Sequence, residues 1–117
     1  ILIYKKKILI AYTFLNFRVM NLKKKAVKII VIDNVLIKKK YRGKLGFKLM
    51  NIINKTIEKK KKTAFLLCEK KLINFYKYFK WQVVRQKVKT FPNTKKTLLS
   101  YNLNSKLKIQ NIIFTIN

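Results

Sequence analysis

Both glycines of this 117-residue chain, Gly43 and Gly46, lie in one segment, Lys38-Lys39-Lys40-Tyr41-Arg42-Gly43-Lys44-Leu45-Gly46. A glycine-containing loop that opens a helix aims several backbone N–H groups at one point. The helix N-terminus adds positive potential there, so such a loop can hold a pyrophosphate. Arg42 and the neighbouring lysines would add charge. The same residues also suit a plain strand-to-helix turn that binds nothing. Two other phosphate loops are disfavoured: GxxxxGK[ST] is absent, and so is GxGxxG with a later ribose-binding acid.

Few other side chains could do chemistry. The chain has three acids, Asp33, Glu58 and Glu69, one cysteine, Cys68, and no histidine. A lone cysteine makes no internal disulfide, and without histidine a zinc site is out. Asp33 interrupts an apolar strand pattern, where an unpaired carboxylate is costly, so it needs a partner or a purpose. A nearby lysine could neutralise it. Glu69 suits the start of a helix, where negative charge is favoured. Cys68 reads as a buried strand-end residue.

The elements that must carry these groups follow from periodicity. Leu2–Tyr4 and Ile8–Phe17 read as strands separated by the solvated turn Lys5-Lys6-Lys7. Residues 21–25 form a second polar break. Ala26–Ile37 is apolar on both faces, as a covered central strand should be. Its period of two puts Val27, Ile29, Val31, Asp33, Val35 and Ile37 together. From Leu45 the spacing becomes helical, with Leu49, Ile52, Ile53 and Ile57 on one side and an end in Glu58–Lys62. Thr63–Cys68 is a short buried strand and Glu69–Phe79 a second helix. Trp81–Val88 and Lys96–Leu103 are strands, with a turn at Phe91-Pro92-Asn93. The expected class is α/β with a mixed sheet, in the order β-β-β-α-β-α-β-β. Residues 1–104 form one domain and 105–117 a tail without an assigned structure.

Lys and Arg number 30 against three acids, a formal charge of +27. Such a charge attracts phosphate. Only three of the 30 basic residues are arginine, the residue that base-reading surfaces favour. The lysines are spread along the whole chain beside abundant Ile and Asn, the pattern of an A+T-rich coding sequence. Half the residues are hydrophobic, which excludes a disordered basic tail. No apolar run reaches the roughly 18 residues of a membrane helix. No signal peptide is evident, so the expected location is cytoplasmic.

The segment VIDNVLIKKKYRGKLGFKLM resembles the acetyl-coenzyme A binding motif of the GNAT N-acetyltransferase superfamily. There a central strand, an Arg- and Gly-containing loop and a long helix follow one another. TAFLLCEKKLINFYKYFKW resembles the family's next strand and helix, whose end carries Phe-Tyr-x-x-x-Gly-Phe/Trp. The two stretches stand in the family's order across residues 26–84. The resemblance implies an N-acetyltransferase that moves acetyl from acetyl-coenzyme A to a primary amine. It gives the backbone of Val35, Leu36 and Ile37 to the pantetheine arm, and Arg42, Gly43, Lys44, Leu45, Gly46 and Phe47 to the pyrophosphate. It makes Tyr76 the acid for the leaving thiolate, and Asp33 a base or amine contact. It implies no metal and allows a homodimer. It also expects a strand and two helices ahead of residue 1; the chain begins with Ile rather than Met. Two positions depart from the pattern. Counted from Arg42, the loop's glycine positions hold Leu45 and Phe47, and the Gly expected before Trp81 is Lys80. The alternatives are a basic nucleic-acid-binding or ribosome-associated module, and an inactive remnant of the family.

Overall fold

The computed structural model describes residues 1–22, 25–85, 88–91, 94–103 and 112–115. Six strands form one sheet in the order β1-β2-β3-β4-β7-β5: β1 is Leu2–Lys5, β2 Ile8–Leu22, β3 Lys25–Ile37, β4 Ala64–Cys68, β5 Gln82–Val83 and β7 Thr97–Tyr101. All neighbouring pairs are antiparallel except β3 and β4. The crossover between those two carries helix α1, Lys44–Lys59, and a shorter helix α2, Ile73–Tyr78, follows β4. The second helix is shorter than the sequence suggests, because Lys70–Leu72 forms a 3-10 turn ahead of it. A separate parallel pair joins β6, Val88–Phe91, to β8, Ile112–Thr115. Strand β8 lies in the segment for which the sequence gives no assignment. Of the expected turn Phe91-Pro92-Asn93, Pro92 and Asn93 lie outside the described residues. Among the described residues, no helix is long and apolar enough to cross a membrane.

The lysine turn forms where it is expected. Lys6 and Lys7 both take positive φ, 46° and 63°, as a two-residue hairpin loop requires. The 3.6-residue period of α1 buries Leu49, Ile53 and Ile57 completely. Each such side chain contributes roughly 1.5–3 kcal/mol. They pack on Ile30 and Ile32 of β3, on Leu66 and Cys68 of β4, and on Tyr76, Phe79 and Trp81. The other face of the sheet has a smaller cluster of Ile29, Val31, Phe65 and Leu98.

Strand β3 departs from strict alternation. Tyr12 pairs with Leu36 while Phe14 pairs with Asp33, so β3 holds one more residue than β2 across this stretch. Asn34 takes φ +53° within this bulge. One inserted residue reverses the parity of everything after it. Val35 and Ile37 therefore leave the face of Ile29 and Val31 and pack with the helix-side core. The single-faced set read from the sequence is split in two.

The end of α2 explains how Lys80 replaces the expected glycine. The Trp81 N–H donates to the Tyr76 carbonyl at 3.2 Å, and the Lys80 N–H to that of Lys77 at 2.9 Å. This pair of bonds is a Schellman cap, which places its C′ residue in the left-handed region. Lys80 is that residue, at φ +67°. A side chain there costs roughly 1–2 kcal/mol of strain. Lys80→Gly is expected to stabilise the fold by about 0.5–1 kcal/mol, part of the relief being lost to backbone entropy. A rise in the thermal midpoint checks this, and a fall would show that the lysine side chain stabilises by more than its strain.

Candidate functional site

Strands β3 and β4 pair over a short stretch only. Their register joins Ile30 to Ala64 and Val31 to Phe65 and then stops. Both strands continue, β3 to Ile37 and β4 to Cys68. Beyond Val31, among the described residues, the edge of β3 that faces β4 has no strand partner, while its other edge stays paired with β2 through Ile37. The bulge at Asn34 helps turn β3 away from β4 at this point. A cleft of about 180 Å³ lies between them. Ile32, Asn34 and Val35 form one wall, Leu66, Leu67 and Cys68 the other, and Tyr76 borders it from α2.

Tyr76 is 7% exposed. Its ring lies against Phe75 and Trp81, with centroids at 5.2 and 6.4 Å. The hydroxyl has no hydrogen-bond partner among the described residues, and no sealed side-chain oxygen or nitrogen there lacks one. The hydroxyl therefore opens onto the cleft rather than into the core. Burial, and secondarily the charge that Cys68 carries once it ionises, push its pKa up to about 12. It is a protonated phenol at neutral pH, able to donate. Burial likewise raises the pKa of Cys68, against the opposing pull of the Lys96 cation. That leaves Cys68 a thiol rather than a thiolate, a poor nucleophile.

The start of α1 follows the end of β3 and lies against Ile37 and Phe75. A short 3-10 turn, Lys39–Tyr41, brings the chain from β3 to Arg42, whose Nε donates to the Ile37 carbonyl at 3.3 Å. Gly43 is the N-cap of α1, at φ +97°. Nothing lies within 4 Å of where its Cβ would be, so glycine is needed there for conformation and not for space. No side chain caps the helix and no acid lies in its first turn. The first helical bond runs from the Phe47 N–H to the Gly43 carbonyl, at 3.2 Å. The N–H groups of Lys44, Leu45 and Gly46 thus precede the helix's own bonding and remain available to an anion. The Phe47 N–H is already engaged. Its half-exposed ring joins an aromatic group with Phe75, Tyr78 and Phe79, at 5.2–6.4 Å between centroids. Gly46 is buried, and a Cβ there would meet Ile37 and Phe75 at 3.6 and 3.7 Å, ordinary contact distances. It lets helix and strand approach closely without being obligatory.

The expected site residues therefore fall into three groups. Val35 and Tyr76 border the cleft, and Ile37 continues the open edge of β3, while the backbone groups of Leu36 face β2. Arg42, Gly43, Lys44, Leu45 and Gly46 form the loop and first turn that follow β3, where Phe47 offers a ring. Asp33 is not brought to either place. It shares the opposite face with Arg18, whose guanidinium lies 3.7 Å away, and accepts from the Asn16 amide. The residue's cost in an apolar strand is met by these partners. Two charged residues of the cleft are not marked by the sequence as site residues, Glu69 and Lys96. Glu69 follows the last residue of β4, a position that a strand-end rule would single out. Lys96 precedes β7, and no local pattern announces it. Among the described residues, no three His, Cys, Asp or Glu side chains gather as metal ligands do.

No protein-family model matches the chain, and no curated protein matches it at a significant level. Solved structures do match. One is Escherichia coli ElaA, a protein of GNAT-family fold, at 24% identity and a TM-score of 0.62. The match covers 85% of this chain and 64% of ElaA, so the chain spans less than two thirds of that structure's length. A likeness at this identity bears on architecture alone, and what it shows is a GNAT-like mixed α+β fold with a six-stranded sheet and two helices.

Proposed function

We propose that the chain is the cofactor-binding part of a GNAT-type N-acetyltransferase, taking acetyl from acetyl-coenzyme A to a primary amine. The observation that carries this reading is the parting of β3 and β4 beside an unbonded, protonated Tyr76 hydroxyl. An extended pantetheine arm has amides that can pair with the free edge of β3 at Val35 and at the Ile37 N–H; Leu36, in register with Tyr12, turns its backbone groups to β2, and the Ile37 carbonyl accepts from Arg42. The uncapped start of α1 suits the pyrophosphate: Lys44, Leu45 and Gly46 supply N–H groups, Gly43 the turn, and Arg42 charge. Phe47 contributes its ring and not its N–H.

In this reading the amine, as the free base, attacks the thioester carbonyl carbon. The C–N bond forms as the carbonyl electrons move to oxygen. Collapse of the tetrahedral adduct breaks the C–S bond, and Tyr76 protonates the departing sulfur. The surplus proton on nitrogen returns to the tyrosinate. The products are an amide and free coenzyme A, with Tyr76 restored. Asp33 has no part in this chemistry, since it lies across the sheet in its own polar contacts.

Isothermal titration with coenzyme A tests the proposal. One molecule is expected to bind per chain, competitively with acetyl-coenzyme A. A folded protein that gives no binding heat and no competition overturns it. Weak binding that any polyphosphate displaces equally would reduce the loop to a non-specific anion site, the expectation for charge alone at +27.

A further inference from the structure

The cleft does not end at Tyr76. A second cavity of about 580 Å³ adjoins it, lined by Glu69, Lys70, Thr94, Lys95 and Lys96. Glu69 and Lys96 line both spaces and so stand where the two meet. On the coenzyme reading above, an acceptor reaching the thioester beside Tyr76 from this second cavity passes these two opposite charges.

The disposition of the three acids sharpens this. Asp33 is engaged with Asn16 and Arg18 on the far face. Glu58 stands at the C-terminal end of α1 and accepts from the Tyr101 hydroxyl. Only Glu69 borders the cleft. Its partner there is Lys71, at 3.3 Å, and both side chains are well exposed, 59% and 77%. Exposed pairs of this kind are worth about 0–1 kcal/mol and exchange readily for a better partner. One ammonium group can therefore be received at Glu69. A second cannot, because the other charges around this cavity are Lys70, Lys95 and Lys96.

We propose that the acceptor is a small zwitterion, a primary amine carrying a carboxylate or phosphate a few bonds away. Its ammonium meets Glu69 and its anionic group meets Lys96, with Lys70 and Lys95 adding field. Glu69 takes one proton from the ammonium and passes it to solvent, which frees the nitrogen lone pair for attack. Polyamines and other polycationic acceptors are rejected by the lysines.

The proposal rests on the acetyltransferase reading, and the experiment separates the two. Coenzyme A is titrated first. The saturated complex is then titrated with glycine, O-phosphoethanolamine, ethylamine and spermidine, and the same four amines are assayed for acetyl transfer. At least one zwitterion is expected to bind the complex and to exceed both spermidine and ethylamine tenfold or more in kcat/KM. Which zwitterion leads tells carboxylate from phosphate. Lys96→Glu is expected to raise KM for that zwitterion at least tenfold and to lower it for spermidine. Glu69→Gln is expected to raise KM for that zwitterion at least tenfold. Preference for spermidine or ethylamine, or no transfer to any amine while coenzyme A binds, overturns the zwitterion assignment alone. Failure to bind coenzyme A overturns both readings.

Discussion

Tyr76→Phe is expected to lower kcat for acetyl transfer about 100-fold, near the lower end of what a positioned proton donor contributes. Coenzyme A affinity is expected to stay within about twofold, since the lost group meets the sulfur only as the C–S bond breaks. The structure supplies an unusual control. The Tyr76 hydroxyl has no hydrogen-bond partner among the described residues, although the residue is 93% buried. A polar group held this way stabilises nothing and costs some desolvation, so its removal should leave the thermal midpoint level or slightly higher. A packing tyrosine would lose neither stability nor turnover, and a hydrogen-bonded structural one would lose both. Turnover falling at constant stability is the signature of the acid. Equal turnover in mutant and parent removes Tyr76 from the mechanism.

The folded pKa of Tyr76, about 12, lies above the ordinary value of 10. Between those values the unfolded chain releases the proton first, so stability is full below pH 10 and declines as pH rises toward 12. Through the neutral range the phenol keeps its proton and the donor is always loaded. No alkaline fall in kcat below about pH 10 should therefore be assignable to Tyr76.

What could be read from the residues divides along a physical line. Local periodicity gives α1, because Leu49, Ile53 and Ile57 repeat over a segment long enough to exclude a strand. The ingredients of the candidate site are legible too: Arg42 and the two glycines stand in one short stretch, and Tyr76 in the next. The phase of β3 is not, because the bulge at Asn34 needs one residue too many and leaves no mark in hydropathy. That single residue separates Asp33 from Val35 and Ile37 and sends the carboxylate to the far face, toward Asn16 and Arg18. Lys96 is hidden for a different reason. It reaches the cleft only because β7 pairs with β4, a contact between segments far apart in sequence. The same holds for the parallel pairing of β6 with β8. Lys80 lies between these cases: its left-handed conformation follows from the cap, but only a comparison with the family pattern marks the position.

The largest stability effect is expected at a residue that no motif marks. Asn54 lies on α1, yet its side chain bonds twice to the segment after α2. Its Oδ1 accepts from the Trp81 indole N–H at 2.9 Å, and its Nδ2 donates to the Phe79 carbonyl at 2.9 Å. Trp81 is 1% exposed, so water cannot replace the first bond. The second fixes a carbonyl in the Schellman cap that ends α2. Asn54→Ala strands a buried indole N–H and frees that cap, at about 1–3 kcal/mol for each unsatisfied group. The sum, roughly 2–4 kcal/mol, should lower the urea midpoint by about 1–2 M with an unchanged slope. A cycle with Trp81→Phe isolates the indole bond: in that background Asn54→Ala should cost about 1 kcal/mol less than in the parent. Strict additivity would mean that the indole N–H is satisfied by another route and that the two helices are joined by apolar packing alone. Because Trp81 also packs on Tyr76, the same clamp that sets stability holds the phenol at the cleft. Asn54→Ala should therefore lower turnover by more than the fraction unfolded accounts for.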